Sequence, residues 1–374
     1  MSGQKPPFRA DHVGSLLRPE ALLAARQRWK ADEMTLDELR VEEDKYIKDV
    51  VKLQEDVGLQ SITDGEFRRE TFHADFLSKI EGIESNFDFK QAVKIGEQAK
   101  DGQTKQTPFL PIIKDKMRRP AGGIEVENFK YLKSLTDRTP KTTVPSPTMT
   151  HFRGGRDAIS KDAYPEMADF FADLAKLYRD ELADLGKAGA TYVQFDDTNL
   201  AYLCDEQMRD GVRKLGEDPD ELPKTYAALI NASIGERPAD MMVTIHLCRG
   251  NARSQWFASG GYEPVADNLF NLTEVDGFFL EYDDERSGDF SPLRFIPKGK
   301  KVVLGLVTTK RGELEERDEL KRRIEEASRY VDIDQLCLSP QCGFSSNAIG
   351  NLVTVDDEIA KLGLVVETAK EVWG

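Results

Sequence analysis

The stretch Met241–Cys248 reads MMVTIHLC, a nearly continuous apolar and β-branched run that ends in an imidazole and a thiol. Lys301–Thr308, KVVLGLVT, is a second run of the same kind. Such runs are typical of parallel strands that are covered on both faces. The candidate strands along the chain are His12–Ser15, Ser61–Asp64, Thr142–Ser146, Thr191–Asp196, Met241–Cys248, Gly277–Tyr282, Lys301–Thr308 and Gln335–Ser339.

Helical patterns separate these eight runs. In Pro165–Leu185 the apolar side chains form one stripe, and the last helix is predicted from about Asp356, with Thr354 as its N-cap and Asp357 in the capping-box position. Eight strands that alternate with helices predict an α/β fold of the (β/α)8 TIM barrel type. An open, doubly wound sheet is the alternative, but no G-x-G-x-x-G turn follows the first strand.

The stretch from about residue 81 to 138 interrupts this alternation. It is polar and contains the turn sequences Lys-Asp-Gly and Ala-Gly-Gly, so we expect an insertion between the second and third strands that includes a hairpin. The whole chain, 1–374, is then predicted to be a single barrel domain with this insertion.

Composition narrows the functional classes. The chain carries 52 Lys and Arg against 67 Asp and Glu, a formal net charge of -15, which opposes binding to nucleic acid or anionic lipid. No apolar run reaches the roughly 18 residues that a membrane helix needs. The N-terminal stretch is not apolar enough for a secretory signal, and four cysteines are too few for a disulfide scaffold. These features predict a cytoplasmic enzyme.

Several chemically versatile side chains lie where strands of a barrel would end, and barrels place their chemistry there. His246 and Cys248 are two positions apart on one strand and therefore point to the same side. Glu281 ends the sixth run, and Cys342 follows the eighth on a Gly/Pro turn. One imidazole, two thiolates and one carboxylate suit a tetrahedral zinc site. The same residues also fit a simpler interpretation, with buried structural cysteines and an acid at the rim.

Four further motifs give the chain a family resemblance. These are the opening PFRADHVGSLLRP, then TDGEFRR, YVQFDD and PQCG, at Pro7–Pro19, Thr63–Arg69, Tyr192–Asp197 and Pro340–Gly343. With the HLC motif that ends at Cys248, they resemble the catalytic half of cobalamin-independent methionine synthase, and in particular its short bacterial relatives. The resemblance spans essentially the whole chain.

The resemblance implies a zinc-dependent thiol S-methyltransferase that converts homocysteine to methionine. By that resemblance the zinc ligands are His246, Cys248, Glu281 and Cys342. The substrate site is implied to include Gly14, Ser15, Glu66 and Asp196, with the first two at the substrate carboxylate and the two acids at its ammonium group.

Two positions depart from the family pattern. A histidine that handles protons in the family has no counterpart, and Lys310 lies near its place as the candidate catalytic residue. The tryptophan that packs on the pterin falls near His151, which we expect in the substrate site. The amino-terminal half of the full-length enzymes is also missing. The methyl donor is therefore left open between a folate, methylcobalamin and a donor delivered by a partner protein, with poor use of the triglutamate folate expected.

Three competing functions follow. The first is methyl transfer to homocysteine with zinc as cofactor. The second is a sister reaction, either alkyl transfer to another small thiol such as coenzyme M or a decarboxylation known in the same superfamily. The third is a zinc-binding or small-molecule-binding protein without catalysis, which the acids Glu66 and Asp196 disfavour.

Overall fold

A computed structural model describes residues 5–85, 110–251, 253–348 and 350–374. Its strands are β1 (Ser61–Ile62), β2 (Glu81–Ser85), β3 (Pro111–Arg118), β4 (Thr139–Pro140), β5 (Thr142–Pro145), β6 (Tyr192–Asp197), β7 (Met242–Leu247), β8 (Gly277–Glu281), β9 (Lys301–Val307) and β10 (Leu336–Pro340). Strands β5 to β10 form one parallel sheet in sequential order. Each is buried along nearly its whole length, as the apolar runs predict.

Short stretches of backbone pairing between the two edges of this sheet close it into a barrel. β1 pairs in parallel with β4, which leads directly into β5. On the other side, Ala10 forms a parallel bridge with Leu338 of β10. The backbone of Leu16 then donates to Gly65, just beyond β1, at 3.1 Å. The ring therefore has eight positions, and the predicted (β/α)8 barrel is confirmed.

The first predicted strand, His12–Ser15, is wrong as placed, because the pairing occurs at Ala10. The Asp11 carboxylate accepts the backbone N–H groups of Phe8 and His12, which a strand would use for pairing. Gly14 has a φ of +139°, outside the strand region. A side-chain cap and a glycine turn thus replace the strand.

Helices cover the outside of the barrel. The α-helices are Glu20–Lys30, Leu36–Val57, Ala74–Leu77, Val126–Lys133, Met167–Ala188, Asn199–Tyr202, Glu206–Lys214, Leu222–Ile234, Glu263–Leu272, Arg317–Ala327 and Val355–Trp373, and the 3-10 turns are Pro147–Thr150, Gly155–Ala158, Glu285–Ser287, Ser291–Phe295 and Ile333–Gln335. The helix predicted from Pro165 begins at Met167 and buries the expected stripe. The last helix has the predicted capping box between Thr354 and Asp357.

The interruption between the second and third barrel strands contains an antiparallel pair, β2 with β3, as expected for a hairpin. Ile83 and Ile113 lie opposite each other and join the same buried cluster as Phe170 of the barrel's outer layer. The stretch between these strands, 86–109, falls outside the described residues. No helix in the part of the chain that the structure describes is long and apolar enough to cross a membrane.

Candidate active site and metal centre

Three of the predicted metal ligands meet at the carboxyl ends of the barrel strands. One ligand atom from each of His246, Cys248 and Cys342 lies within 4.8 Å of the other two, and all three residues are buried. The two sulfurs are 3.3 Å apart. β7 ends at Leu247 and β10 at Pro340, so the barrel brings residues nearly a hundred positions apart to one point.

The Asp196 carboxylate orients the imidazole of His246. Its Nδ1 lies 3.3 Å from Asp196 Oδ1, whereas its buried Nε2 has no hydrogen-bond partner among the described residues. Burial lowers the pKa of His246, but the contacts with Asp196 and Cys342 outweigh it and raise the pKa to about 10. Because Nδ1 contacts Asp196, Nε2 is the ring nitrogen that remains to bind a metal ion beside the thiols.

The two thiols have pKa values shifted in opposite directions. A hydrogen bond with Cys248, helped by His246, holds the pKa of Cys342 well below that of an ordinary cysteine, and the pKa of Cys248 is raised by the same contact and by burial. Thiolates and imidazoles are the ligands that zinc prefers, and a carboxylate behind the histidine is the usual support for it. The donor set therefore fits a thiophilic ion such as zinc.

Glu281, the fourth predicted ligand, is fully buried next to this cluster but is not part of it. Its Oε2 accepts the backbone N–H of Arg249 at 2.9 Å. Its Oε1 contacts the guanidinium of Arg286 and lies 3.2 Å from Lys310 Nζ. The carboxylate is thus held by two cations beside the thiols.

A cavity of about 600 Å³ opens beside the thiols and has the size of a small-molecule site. Ser15, Glu66, Asp196, His246, Cys248 and Cys342 are among its lining residues. The predicted substrate residues Ser15, Glu66 and Asp196 therefore share one cavity with the three ligands.

Gly14 lies behind this wall and permits its close packing. A Cβ added there would lie 2.9 Å from Thr143 Cγ2 and 3.2 Å from Glu66 Oε1. Its backbone φ of +139° is also one that residues other than glycine rarely adopt. Gly14 therefore shapes the site, although it is not among the residues that line the cavity.

Glu66 already has partners in the wall. Its carboxylate pairs with Arg69 at 2.6 Å and accepts a hydrogen bond from Thr143 at 3.0 Å. Burial raises the pKa of Glu66, and the Arg69 guanidinium opposes that rise. In contrast, both described hydrogen bonds to the Asp196 side chain reach Oδ1. Among the described contacts, Asp196 Oδ2 is thus the carboxylate oxygen that is available to a ligand.

Comparison with known proteins then identifies the family. The model for the catalytic domain of cobalamin-independent synthases matches residues 8–371. The chain belongs to this family. Among its relatives is the uncharacterised protein YxjH of Bacillus subtilis (strain 168), 44% identical over 372 residues, which cover 99% of this chain and 96% of the relative.

Two other similar proteins have more descriptive names. A solved structure from Listeria monocytogenes, a candidate vitamin-B12-independent methionine synthase, has 37% identity and a TM-score of 0.78, with 100% of both chains covered. The 5-methyltetrahydropteroyltriglutamate–homocysteine methyltransferase of Thermosynechococcus vestitus is 24% identical over 344 residues, 91% of this chain and 40% of that protein. Members of the synthase family are methyltransferases of this type, and the chain is accordingly a methyltransferase.

Lys310, predicted as the catalytic residue in place of the family's histidine, is engaged elsewhere. Its ammonium group lies 3.2 Å from Glu281 Oε1 and 3.3 Å from Asp283 Oδ2. Burial lowers the pKa of Lys310, but these two acids outweigh it, so that the pKa is raised. A lysine held charged by two carboxylates is suited to positioning them and poorly suited to accepting a proton.

His151, which the sequence analysis expects in the substrate site, is not among the residues that line this cavity. Its Nδ1 lies 3.0 Å from the Tyr226 hydroxyl and its Nε2 lies 3.4 Å from Glu217 Oε1. The ring packs edge-on against Phe171 and Tyr226. The buried ring is thus held among aromatic side chains and the Glu217 carboxylate.

The cavity instead receives aromatic side chains that sequence reasoning missed. Phe72, Phe152, Tyr202 and Phe257 line it, so a flat ring has apolar surface to pack on without His151. Phe72 lies close after the TDGEFRR motif, and Phe152 is the immediate neighbour of His151. Their closeness in sequence to those motifs is the one signal that points to Phe72 and Phe152, but it does not show in which direction their side chains point.

Proposed function

We propose that this chain transfers a methyl group to the sulfur of homocysteine, giving methionine, with zinc held at the thiol cluster. The observation that carries the proposal is the convergence of His246, Cys248 and Cys342 in the cavity that Ser15 and Asp196 also line. The name of the Thermosynechococcus relative supports homocysteine as acceptor.

The three clustered residues would hold the zinc through His246 Nε2 and the two sulfurs. Glu281, at the side of the cluster, is the proposed fourth ligand, and it would have to exchange contacts with Arg286 and Lys310 to reach the ion. Zinc, when bound, supplies a positive charge that favours the thiolate form of a substrate thiol, the form that acts as nucleophile.

The other residues of the site orient the acceptor. The Asp196 carboxylate is placed to bind the ammonium group of an amino-acid thiol, and Glu66, shared with Arg69, adds a second negative charge. The Ser15 hydroxyl is the proposed partner of the substrate carboxylate. These acids favour an amino-acid thiol over coenzyme M, because coenzyme M carries an anionic sulfonate and has no ammonium group.

The donor would enter along the aromatic part of the cavity. Phe152 and Tyr202, with ring centroids 6.3 Å apart, both line it. This surface removes one reason to expect poor use of a folate, since the loss of aromatic area at His151 is made up by neighbouring residues. Whether the methyl group comes from a folate, from methylcobalamin or from a donor-delivering protein is decided by kinetics with each donor.

The test is formation of methionine by the zinc-loaded protein and by its Cys342→Ser variant. We expect about one zinc per chain in the native protein, a methionine product with homocysteine as acceptor, and loss of both in the variant. Circular dichroism serves as the control for folding. Full zinc occupancy in the variant, or methylation of coenzyme M but not of homocysteine, would contradict the proposal.

A further inference from the structure

Three consecutive backbone carbonyls lead up to Ser15, and each of them accepts a hydrogen bond from a buried side chain. The pairs are Lys141 Nζ with His12 O at 2.5 Å, Gln194 Nε2 with Val13 O at 2.7 Å, and Thr63 Oγ1 with Gly14 O at 2.7 Å. The three donors belong to separate parts of the barrel: one follows β1, one lies between β4 and β5, and one is in β6. The backbone in front of Ser15 is therefore held at every residue.

The amide of Gln194 also reaches an acid of the proposed substrate site. Its Nε2 donates to Asp196 Oδ1 at 2.7 Å as well as to Val13 O. A carbonyl oxygen and a carboxylate oxygen can only accept, so the amide must present its nitrogen to both. One buried NH2 group thus joins the backbone at Val13 to the side chain of Asp196.

The two sides of this link carry the two proposed anchors of the substrate. Val13, Ser15 and Asp196 all line the cavity beside the thiols. Under the proposed function, the Ser15 hydroxyl binds the substrate carboxylate and Asp196 binds its ammonium group. The two hydrogens of an amide NH2 have fixed directions, and hydrogen bonds weaken steeply when they bend, so Gln194 fixes the two anchors relative to each other.

We propose that Gln194 is a positioning residue that sets the separation of these two anchors and thereby selects thiols with an ammonium and a carboxylate group on the same carbon. The inference rests on the proposed function and deepens it by assigning the selection of an α-amino acid to a residue that lies behind the anchors.

The energetic reason is preorganisation. Without the Gln194 amide, Asp196 keeps its contact with His246, and the backbone before Ser15 keeps its contacts with Lys141 and Thr63. Each anchor is then still present, but no shared group fixes the distance between them. A ligand that uses both anchors must order them when it binds, whereas a ligand that uses one of them has less to order.

Titration calorimetry on the zinc-loaded full chain tests this without turnover. The three probes are homocysteine, 4-mercaptobutanoate, which lacks the ammonium group, and 3-aminopropane-1-thiol, which lacks the carboxylate. Gln194→Met removes both donors, and Gln194→Glu keeps the size of the side chain but presents oxygen to two acceptors. All proteins are compared at equal zinc content, and any change at the metal weakens all three thiols alike, so the affinity ratios isolate the anchors.

Gln335 offers a matched control. Its Nε2 also donates to two backbone carbonyls, those of Pro297 at 2.9 Å and Lys300 at 2.7 Å. It directly precedes β10 and therefore lies at the end of the barrel opposite the site. Gln335→Met removes the same number of hydrogen bonds without touching either anchor.

We expect both Gln194 variants to weaken homocysteine about three- to tenfold more than they weaken either thiol with one polar group, the cost of ordering a side chain on binding. Gln335→Met should lower the free energy of unfolding and leave the affinity ratios at their native values. A folded, zinc-loaded Gln194 variant with native ratios, or equal changes in the Gln335 variant, would overturn the inference alone. A native protein that does not bind homocysteine would contradict the proposed function, and the inference with it.

Discussion

Asp196 lies between the cluster of His246, Cys248 and Cys342 and the cavity beside it. Its Oδ1 accepts the Gln194 amide at 2.7 Å and contacts His246 Nδ1 at 3.3 Å. A carboxylate behind a ligating histidine fixes the orientation of the ring and strengthens it as a ligand. Because the same side chain lines the cavity, we expect it to serve both the zinc and the substrate ammonium group.

Asp196→Asn separates these two roles. The amide keeps the shape of the side chain but removes its charge, so turnover with homocysteine should fall about ten- to a hundredfold more than turnover with 4-mercaptobutanoate, the same thiol without the amine. Both rates are compared in protein shown by metal analysis to hold equal zinc. Equal losses with the two thiols would limit Asp196 to orienting His246.

At the scale of single residues, the sequence could predict which side chains meet only where their spacing along a strand sets the direction in which they point. His246 and Cys248 could be paired because residues two apart on a strand point to one side. Lys310 and His151 were placed by position alone, and neighbouring side chains decide their direction. Two carboxylates hold Lys310, and an aromatic layer accommodates His151.

At the scale of elements, the loop after β10 is packed so tightly that it needs a glycine beside Cys342. A Cβ on Gly343 would lie 1.8 Å from Ser15 Oγ, and after rotation of that hydroxyl it would still lie 3.0 Å from Ser15 Cβ and 3.2 Å from Ser15 O, so Ser15 must shift. The backbone of Phe344 also donates to Ser15 O at 2.9 Å, which joins the two loops. Cys342, a proposed metal ligand, and the loop that carries Ser15 are thus positioned together.

Gly343→Ala should therefore weaken both zinc binding and homocysteine binding and lower the free energy of unfolding by 1 kcal/mol or more, as overpacked sites do by about 1–3 kcal/mol. Gly363 is the matched control, because it lies in the helix Val355–Trp373 and a Cβ there meets nothing within 4 Å. Gly363→Ala should raise the free energy of unfolding by about 0.5–1 kcal/mol. Urea unfolding measures both, and equal stabilities for the two variants would refute the packing argument.

Most strands could be predicted because their side chains are buried on both faces, which leaves a continuous apolar signal. The first strand could not, because Asp11 takes the backbone N–H groups of Phe8 and His12 and leaves only the bridge at Ala10. The Asp11 carboxylate thus takes the place of the hydrogen bonds between strands, and this arrangement depends on tertiary packing, which the local sequence does not show. The capping box of the last helix, in contrast, is local and was predicted correctly.

At the scale of the whole molecule, the last helix is tied to the start of the chain by a buried acid. Glu358 Oε2 accepts the backbone N–H of Leu17 at 2.9 Å, just after Gly14 and Ser15 of the substrate site. Burial raises the pKa of Glu358 from 4.5 to about 8, and the hydrogen bond from Leu17 only partly opposes it. The folded chain therefore keeps this carboxyl protonated where the unfolded chain has lost its proton.

The sign of the pH dependence follows from this difference. Between about pH 4.5 and 8 the folded state binds more protons than the unfolded state, so the free energy of unfolding falls as the pH rises. The part due to Glu358 is at most about 5 kcal/mol, at 1.36 kcal/mol per pKa unit. Glu358→Gln should flatten the decline in urea unfolding between pH 5 and 9, whereas the exposed Glu367→Gln of the same helix should not. Parallel curves for the two variants would show that Glu358 does not cause the decline.

The central claim is that His246, Cys248 and Cys342 hold zinc and that the substrate sulfur binds the same ion. Zinc K-edge X-ray absorption of the zinc-loaded chain tests it directly, before and after addition of millimolar homocysteine. We predict two sulfur ligands, from Cys248 and Cys342, at about 2.3 Å before addition and three afterwards. An unchanged shell of two sulfurs in the presence of homocysteine would contradict the account.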